Sequence, residues 1–176
     1  SANLPESSFS HEQEVSTPAY YSAFMTDYKV KAEMTGTSRA AIFRFTYEDK
    51  NSQYIYITSN SDEECGEGSV MQDVAWIQGT NPIHRIYQGY GESAGYSGWI
   101  ALQTNGFIEK FGCLDKHTVW LKVKTKDKPV MVRCGTSFTS FEGAKQNLQT
   151  EIPDWNFDAV RSKLENVWAA QLNKIK

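Results

Sequence analysis

The chain has no surplus of basic charge: 18 lysines and arginines stand against 21 aspartates and glutamates, for a formal net charge of −3. Without a basic block it is not a phosphate-tracking nucleic-acid binder, whose affinity rests on clustered lysine and arginine. It has no apolar run near the ~18 residues that a membrane-spanning helix requires. It opens Ser1-Ala2-Asn3 with neither a charged n-region nor an apolar h-region, so no signal peptide is visible. Cysteine is scarce. Cys65, Cys113 and Cys134 are far apart, odd in number and form no Cys-x-x-Cys pair, which excludes a zinc ribbon. They read as buried or idle thiols, or as one disulfide with a spare thiol. His11-Glu12-Gln13-Glu14 lacks the second histidine of a His-Glu-x-x-His zinc motif. There is no Asn-x-Ser/Thr acceptor. Gly89, Gly91 and Gly95 fall between strand-like runs, whereas a dinucleotide cradle needs a helix N-terminus there.

What remains is enough chain for about one domain. At 176 residues the globule has a radius of gyration of roughly 16 Å and buries a core without disulfide staples. Residues 1–17 are polar and loop-like. From Pro18 onward, short alternating runs bounded by turn residues predict strands over 20–28, 30–35, 40–47 and 54–58. The acidic stretch 59–69 reads as a surface loop. Further strands are expected over 70–78, 83–90, 99–104, 119–124 and 130–138. Strands at that spacing with no helices between them mean antiparallel sheets stacked as a β-sandwich.

The period then switches. Thr139 and Glu142 fit a capping box, which opens a short helix expected to end before Pro153. A second helix should begin near 154–156. It carries one stripe of Phe157, Val160, Leu164, Val167, Trp168, Leu172 and Ile175. The stripe reaches the last residues without a glycine cap, so this helix reads as cut rather than finished, with its far end less buried than its start.

Two polar-aromatic segments stand out. One is 9–14, with His11 and Glu12. The other is 81–99, which gathers His84, Arg85, Tyr87, Gln88, Tyr90, Glu92, Tyr96 and Trp99 around a turn. Planar rings beside hydrogen-bonding side chains suit a sugar or a protein interface equally, and alternate aromatics also fill sandwich cores.

Three stretches together resemble a known family. Ser8-Phe9-Ser10-His11-Glu12-Gln13-Glu14, with Thr17-Pro18-Ala19-Tyr20-Tyr21-Ser22, resembles its "FSHE-E-A-PGYY" signature. Lys31-Ala32-Glu33-Met34-Thr35-Gly36-Thr37-Ser38-Arg39 resembles "kaELTaT-R". Gly135 to Leu148 and Glu151 to Asp158 resemble "GiSfvS-egA--NL" and "Eip-WdFd". These belong to the amino-terminal domain of glycoside hydrolase family 92, calcium-dependent exo-α-mannosidases frequent in gut Bacteroidetes. Ala19 replaces a glycine of the signature and Gly36 an alanine.

The resemblance implies a supersandwich of the galactose-mutarotase kind over 1–138, lacking its first strands. Residues 139–176 would be a helical linker leading to an (α/α)₆ barrel that begins after Lys176. It also implies a periplasmic, cell-surface or secreted parent protein. The family inverts at the anomeric carbon with a general acid and a general base. Those groups and the Ca²⁺ ligands are expected in the absent barrel, so neither catalytic residue nor metal is assigned to this chain. The expected partners are that helical domain of the same polypeptide and, through it, mannose-containing glycans. His11, Glu12, Arg85, Tyr87 and Gln88 are the candidates for touching the barrel or the sugar, and are expected together on one side of the sandwich. The alternative is a free-standing carbohydrate-binding sandwich.

Overall fold

The computed structural model describes residues 6–58, 68–71, 74–86, 90–114, 118–126 and 128–174; for 68–71, 74–75, 81–86 and 90–93 this covers the backbone only. After a 3₁₀ turn at His11–Gln13 come β1 (Val15–Thr17), β2 (Tyr20–Met25), β3 (Val30–Gly36), β4 (Ala40–Tyr47), β5 (Tyr54–Thr58) and β6 (Gly68–Met71). They are followed by β7 (Val74–Ile86), β8 (Tyr90–Thr104), β9 (Phe107–Cys113), β10 (Thr118–Lys124) and β11 (Val130–Ser137), then α1 (Phe141–Glu151) and α2 (Phe157–Leu172). An eight-stranded sheet has the order β1-β2-β3-β4-β11-β8-β7-β6, and a three-stranded sheet the order β5-β10-β9. The strand pairs are antiparallel throughout. The β-sandwich is the fold.

Period-two alternation sends the large sheet's side chains to two covered faces. One face carries Val130 and Val132, with Ile77 and Leu102, against Ile55, Val119, Leu121 and Val123 of the small sheet. The other carries Tyr20, Ile42, Trp76 and Ala101 against Ala144, Leu148, Ile152, Phe157 and Val160 of the helical segment. The helices are therefore a third layer lying on the sheet. Gly135 lets them close in: a Cβ there would collide with the Ala144 carbonyl and come within 2.7 Å of Leu148 Cβ.

Several boundaries differ from the sequence reading, each for a physical reason. Ser140, not Thr139, caps α1, its hydroxyl accepting from the Gly143 N–H at 3.0 Å. Thr139 instead pairs its hydroxyl with Ser137 at 2.9 Å. α2 starts as expected, with Asn156 accepting from Ala159 N–H at 3.1 Å. The strands expected over 70–78, 83–90 and 99–104 merge into the long β7–β8 hairpin plus the short β6. Pro82 suggests an interruption, but it sits beyond the stretch where β6 pairs with β7. There β7 is an outer strand and a missing N–H is tolerated. β1 and β9 have no counterpart in the reading. Both are edge strands, and Phe107 and Phe111 of β9 stay largely exposed, so no buried face imposes a clean alternation. The expected loop over 59–69 lies mostly outside the described residues.

Candidate functional site

Six polar residues of the resemblance motifs, Tyr20, Glu33, Thr37, Arg39, Glu151 and Asp158, meet at the contact between sheet and helices. Glu33 on β3 stands opposite Arg44 on β4. Arg44 donates from Nε and Nη2 to the two carboxylate oxygens of Glu33 at 2.7 and 2.8 Å. The Tyr20 hydroxyl donates to Glu33 at 2.7 Å. The same guanidinium reaches Asp158 in the first turn of α2 at 3.2 Å and lies 4.2 Å from the Phe157 ring centre. Arg161, one turn on, covers the Tyr20 ring at 3.8 Å. Burial pushes the Glu33 carboxyl up, but the Arg44 and Tyr20 hydrogen bonds, together with the Arg44 and Lys31 charges, win and hold it at about 2.

A second clamp ties α1 to the β3–β4 turn. Glu151 accepts from the Thr37 hydroxyl at 2.6 Å, the Arg39 N–H at 2.9 Å and Arg39 Nε at 2.6 Å. Burial opposes ionisation of Glu151 and these donors outweigh it, so its carboxyl titrates below the usual range. On β11, Arg133 donates to the Ile152 carbonyl at 2.7 Å and stacks on Trp155 at 4.7 Å. The motif residues thus fix where α1 and α2 lie.

The segment 9–14 is a surface turn beside β1 and β2. His11 is exposed, packs edge-on to Phe9 and is hydrogen-bonded through Nδ1 to Glu14 at 2.6 Å. The Tyr21 hydroxyl donates to the other Glu14 oxygen at 2.7 Å. The His11 hydrogen bond, seconded by Tyr21, lowers the Glu14 carboxyl. Glu12 is exposed beside it. Arg85 lies on β7 next to His84, which pairs with Ser93, but its side chain is outside the description; Tyr87 and Gln88 lie outside the described residues altogether.

The topology does not bring the two segments together. β1 is one edge of the large sheet and β7 is next to the other, with five strands between them. At an interstrand spacing of ~4.8 Å that is roughly 30 Å. They also sit at opposite strand ends. The turn at 11–13 precedes Val15, which pairs with Ser22, whereas the β7–β8 tip lies beyond Trp99, on the side of Thr17 and Gly36. The expectation of a common face for His11, Glu12 and Arg85 is corrected accordingly.

Among the described residues, the carboxyls that move from their ordinary values, Glu14, Glu33, Asp49, Glu109 and Glu151, all move down. A glycosidase acid requires the opposite shift. Calcium takes 6–8 oxygen ligands, and among the described residues no three acidic, histidine or cysteine side chains converge to hold a metal ion. Toward its end α2 loses cover: Phe157 is 2% exposed, whereas Val167, Trp168 and Leu172 are 53%, 42% and 54% exposed.

The sequence reading missed an aromatic groove beside β5. Its signal was the alternation Tyr54-Ile55-Tyr56-Ile57, which turns both tyrosines away from the core.

The profile of the glycosyl hydrolase family 92 N-terminal domain matches residues 2–151. No curated protein matched the chain in sequence. Among solved structures it resembles a family 92 inverting mannosidase from Bacteroides thetaiotaomicron, at 19% identity and a TM-score of 0.78, over 97% of this chain and 24% of that one. It also resembles a family 92 α-mannosidase from the same organism, at 25% identity and a TM-score of 0.76, over 96% of this chain and 25% of that one. A third similar structure is the family 92 glycosyl hydrolase ccman5, at 16% identity and a TM-score of 0.76, over 95% of this chain and 25% of that one. The chain spans about a quarter of the length of these enzymes. With its sandwich, its helical layer and the motif residues that join them, the chain belongs to the N-terminal domain family of glycosyl hydrolase family 92.

Proposed function

We propose that the chain is the non-catalytic amino-terminal part of a calcium-dependent, inverting exo-α-mannosidase that is periplasmic, surface-bound or secreted. It braces a helical catalytic domain of the same polypeptide and helps shape the site in which mannose-containing glycans are cut. The observation that carries this reading is the α2 stripe, buried at Phe157 and Val160 and open from Val167 onward. A helix anchored at its start by Arg44 and Asp158 presents its uncovered end to whatever follows. An inverting glycosidase places an acid and a base ~6.5–9.5 Å apart about the scissile bond, the acid with a raised pKa. The downward-shifted carboxyls here act as structural anions, so the chemistry and the calcium are assigned to the remainder of the polypeptide. The alternative, a free-standing carbohydrate-binding sandwich, is favoured by the tyrosine groove and disfavoured by the open stripe.

The test compares this chain with the extended polypeptide on an α-mannobiose, with calcium and with EDTA. Turnover by the extended protein, lost in EDTA and restored by calcium, with the chain alone inert, is the expected result. Hydrolysis by the purified chain alone, or an inert extended protein, overturns the reading.

A further inference from the structure

The groove beside β5 has a volume of about 580 Å³, within the range of small-molecule sites. It opens where the edge of the three-stranded sheet meets the β2–β3 turn and the end of β4. Tyr54 and Tyr56 project from β5 and are 39% and 42% exposed, and Tyr28, in the β2–β3 turn, is 51% exposed. Tyr47 forms the back wall and donates its hydroxyl to the Tyr54 carbonyl at 2.7 Å. That bond ties the groove wall to the large sheet. Lys29 takes a left-handed conformation at φ 51° and its carbonyl accepts from Glu48 N–H at 3.1 Å, which pins the turn carrying Tyr28. The walls are thus held by backbone.

The charges in the groove are of one sign. Among the described residues, Asp27 and Asp49 are its ionisable lining groups besides the tyrosines, and no lysine or arginine lines it. Asp27 Oδ2 accepts from the Ser8 N–H at 2.7 Å, and Asp49 accepts from the Asn51 N–H at 2.9 Å and from the Ser52 and Asn51 side chains. A carboxylate has two oxygens and about four acceptor sites, so both keep capacity for donors from a ligand. Tyrosine faces with fixed acceptors suit a ligand having flat C–H faces and a rim of hydroxyl donors. Anions are repelled by both aspartates.

We infer that this groove is a binding site for a neutral oligosaccharide, separate from any catalytic centre. Tyr28, Tyr54 and Tyr56 supply the stacking faces, and Asp27 and Asp49 accept hydroxyl hydrogens. Mannose is chosen as the sugar because the inference rests on the mannosidase reading above. A catalytic domain cutting one terminal residue at a time gains from a second site that keeps the glycan local between cuts.

The test is titration of this chain with linear α-mannotriose, followed through the tyrosine ring resonances. Tyr28, Tyr54 and Tyr56 should shift together. Tyr56→Ala and Tyr28→Ala should each weaken binding about tenfold, with melting followed separately so that unfolding is not read as lost binding. Phe138→Ala, an exposed ring just past β11 at the opposite strand ends of the large sheet, should leave binding unchanged. The proposal is overturned by absence of binding at millimolar sugar, by binding that survives both tyrosine variants, or by a preference for tetramethylammonium over mannotriose, which marks a cation cage. The two readings fail separately. An active extended enzyme beside a chain that binds no sugar sinks the groove alone, whereas sugar binding beside an inert extended enzyme supports the groove and sinks the mannosidase.

Discussion

The two faces of the large sheet are held by different physics. Toward the small sheet the contact is apolar: among the described residues Ile55, Leu121, Val123, Val130 and Val132 meet, flanked by Phe43 and Phe45, with no ion pair in their cluster. Toward the helices the apolar contacts are threaded by ions: Glu33 with Arg44, Arg44 with Asp158, and Glu151 with Arg39. Hydrophobic burial is non-directional and tolerates exchange between residues of similar volume. Charge-assisted bonds demand particular atoms at particular places. The first face therefore holds the sandwich together, and the second sets the angle at which α2 leaves it. For a domain whose proposed role is to brace another, that angle is the functional output.

The largest expected break in this contrast comes from Arg44→Ala. It leaves the Glu33 carboxylate buried without its bidentate partner and should cost about 3–5 kcal/mol by denaturant unfolding. Arg44→Lys should recover only part of that loss, because an ammonium cannot span both carboxylate oxygens. On the other face, Leu121→Met should cost less than about 1.5 kcal/mol. A lysine variant as stable as the parent would remove the distinction.

Acid should find the same face. Glu33 is held at about 2, below its unfolded value of 4.5. The depressed carboxyl contributes stability that is complete above pH 4.5 and drains as pH falls toward 2. Full protonation is worth about 3 kcal/mol by linkage. Unfolding at graded pH should show Glu33→Gln less stable at neutral pH and flatter in this window. A parallel decline for parent and variant would assign the acid sensitivity elsewhere.

Gly135→Ala tests the closeness of the helical layer. Its methyl meets the Ala144 carbonyl and the Leu148 side chain, and overpacking of this kind costs about 1–3 kcal/mol. The melting temperature should fall, with loss of amide protection concentrated in α1. The smallest effect belongs to the end of α2: Trp168→Ser should change stability by no more than about 0.5 kcal/mol. It should lower self-association in sedimentation, since it removes part of an exposed apolar surface. A large destabilisation would mean that the residue is already packed.

Legibility followed burial. β4 was readable to the residue because both its faces are covered and its partners on either side fix the register. β9 was not, since little of it is buried and its large apolar side chains Phe107 and Phe111 face solvent. The motif residues drew attention as a signature, yet their common purpose was hidden. Glu33 and Asp158 are far apart in the chain and meet only through Arg44, and Arg44 lies in none of the three stretches that carried the resemblance. His11 and Arg85 looked alike on chemistry alone, and nothing local could report that five strands separate them.

By itself, then, the sequence determined the family and most of the elements, but not the edge strands β1 and β9. Period-two alternation and helical stripes are local consequences of backbone geometry, and a spaced signature is read along one dimension. The folded structure decided which residues share a face, that the helices form a layer against the sheet, and that four tyrosines and two aspartates enclose one groove. Those are matters of strand order and register. They are settled by which apolar faces can be buried together over the whole chain, and no window of neighbouring residues contains that information.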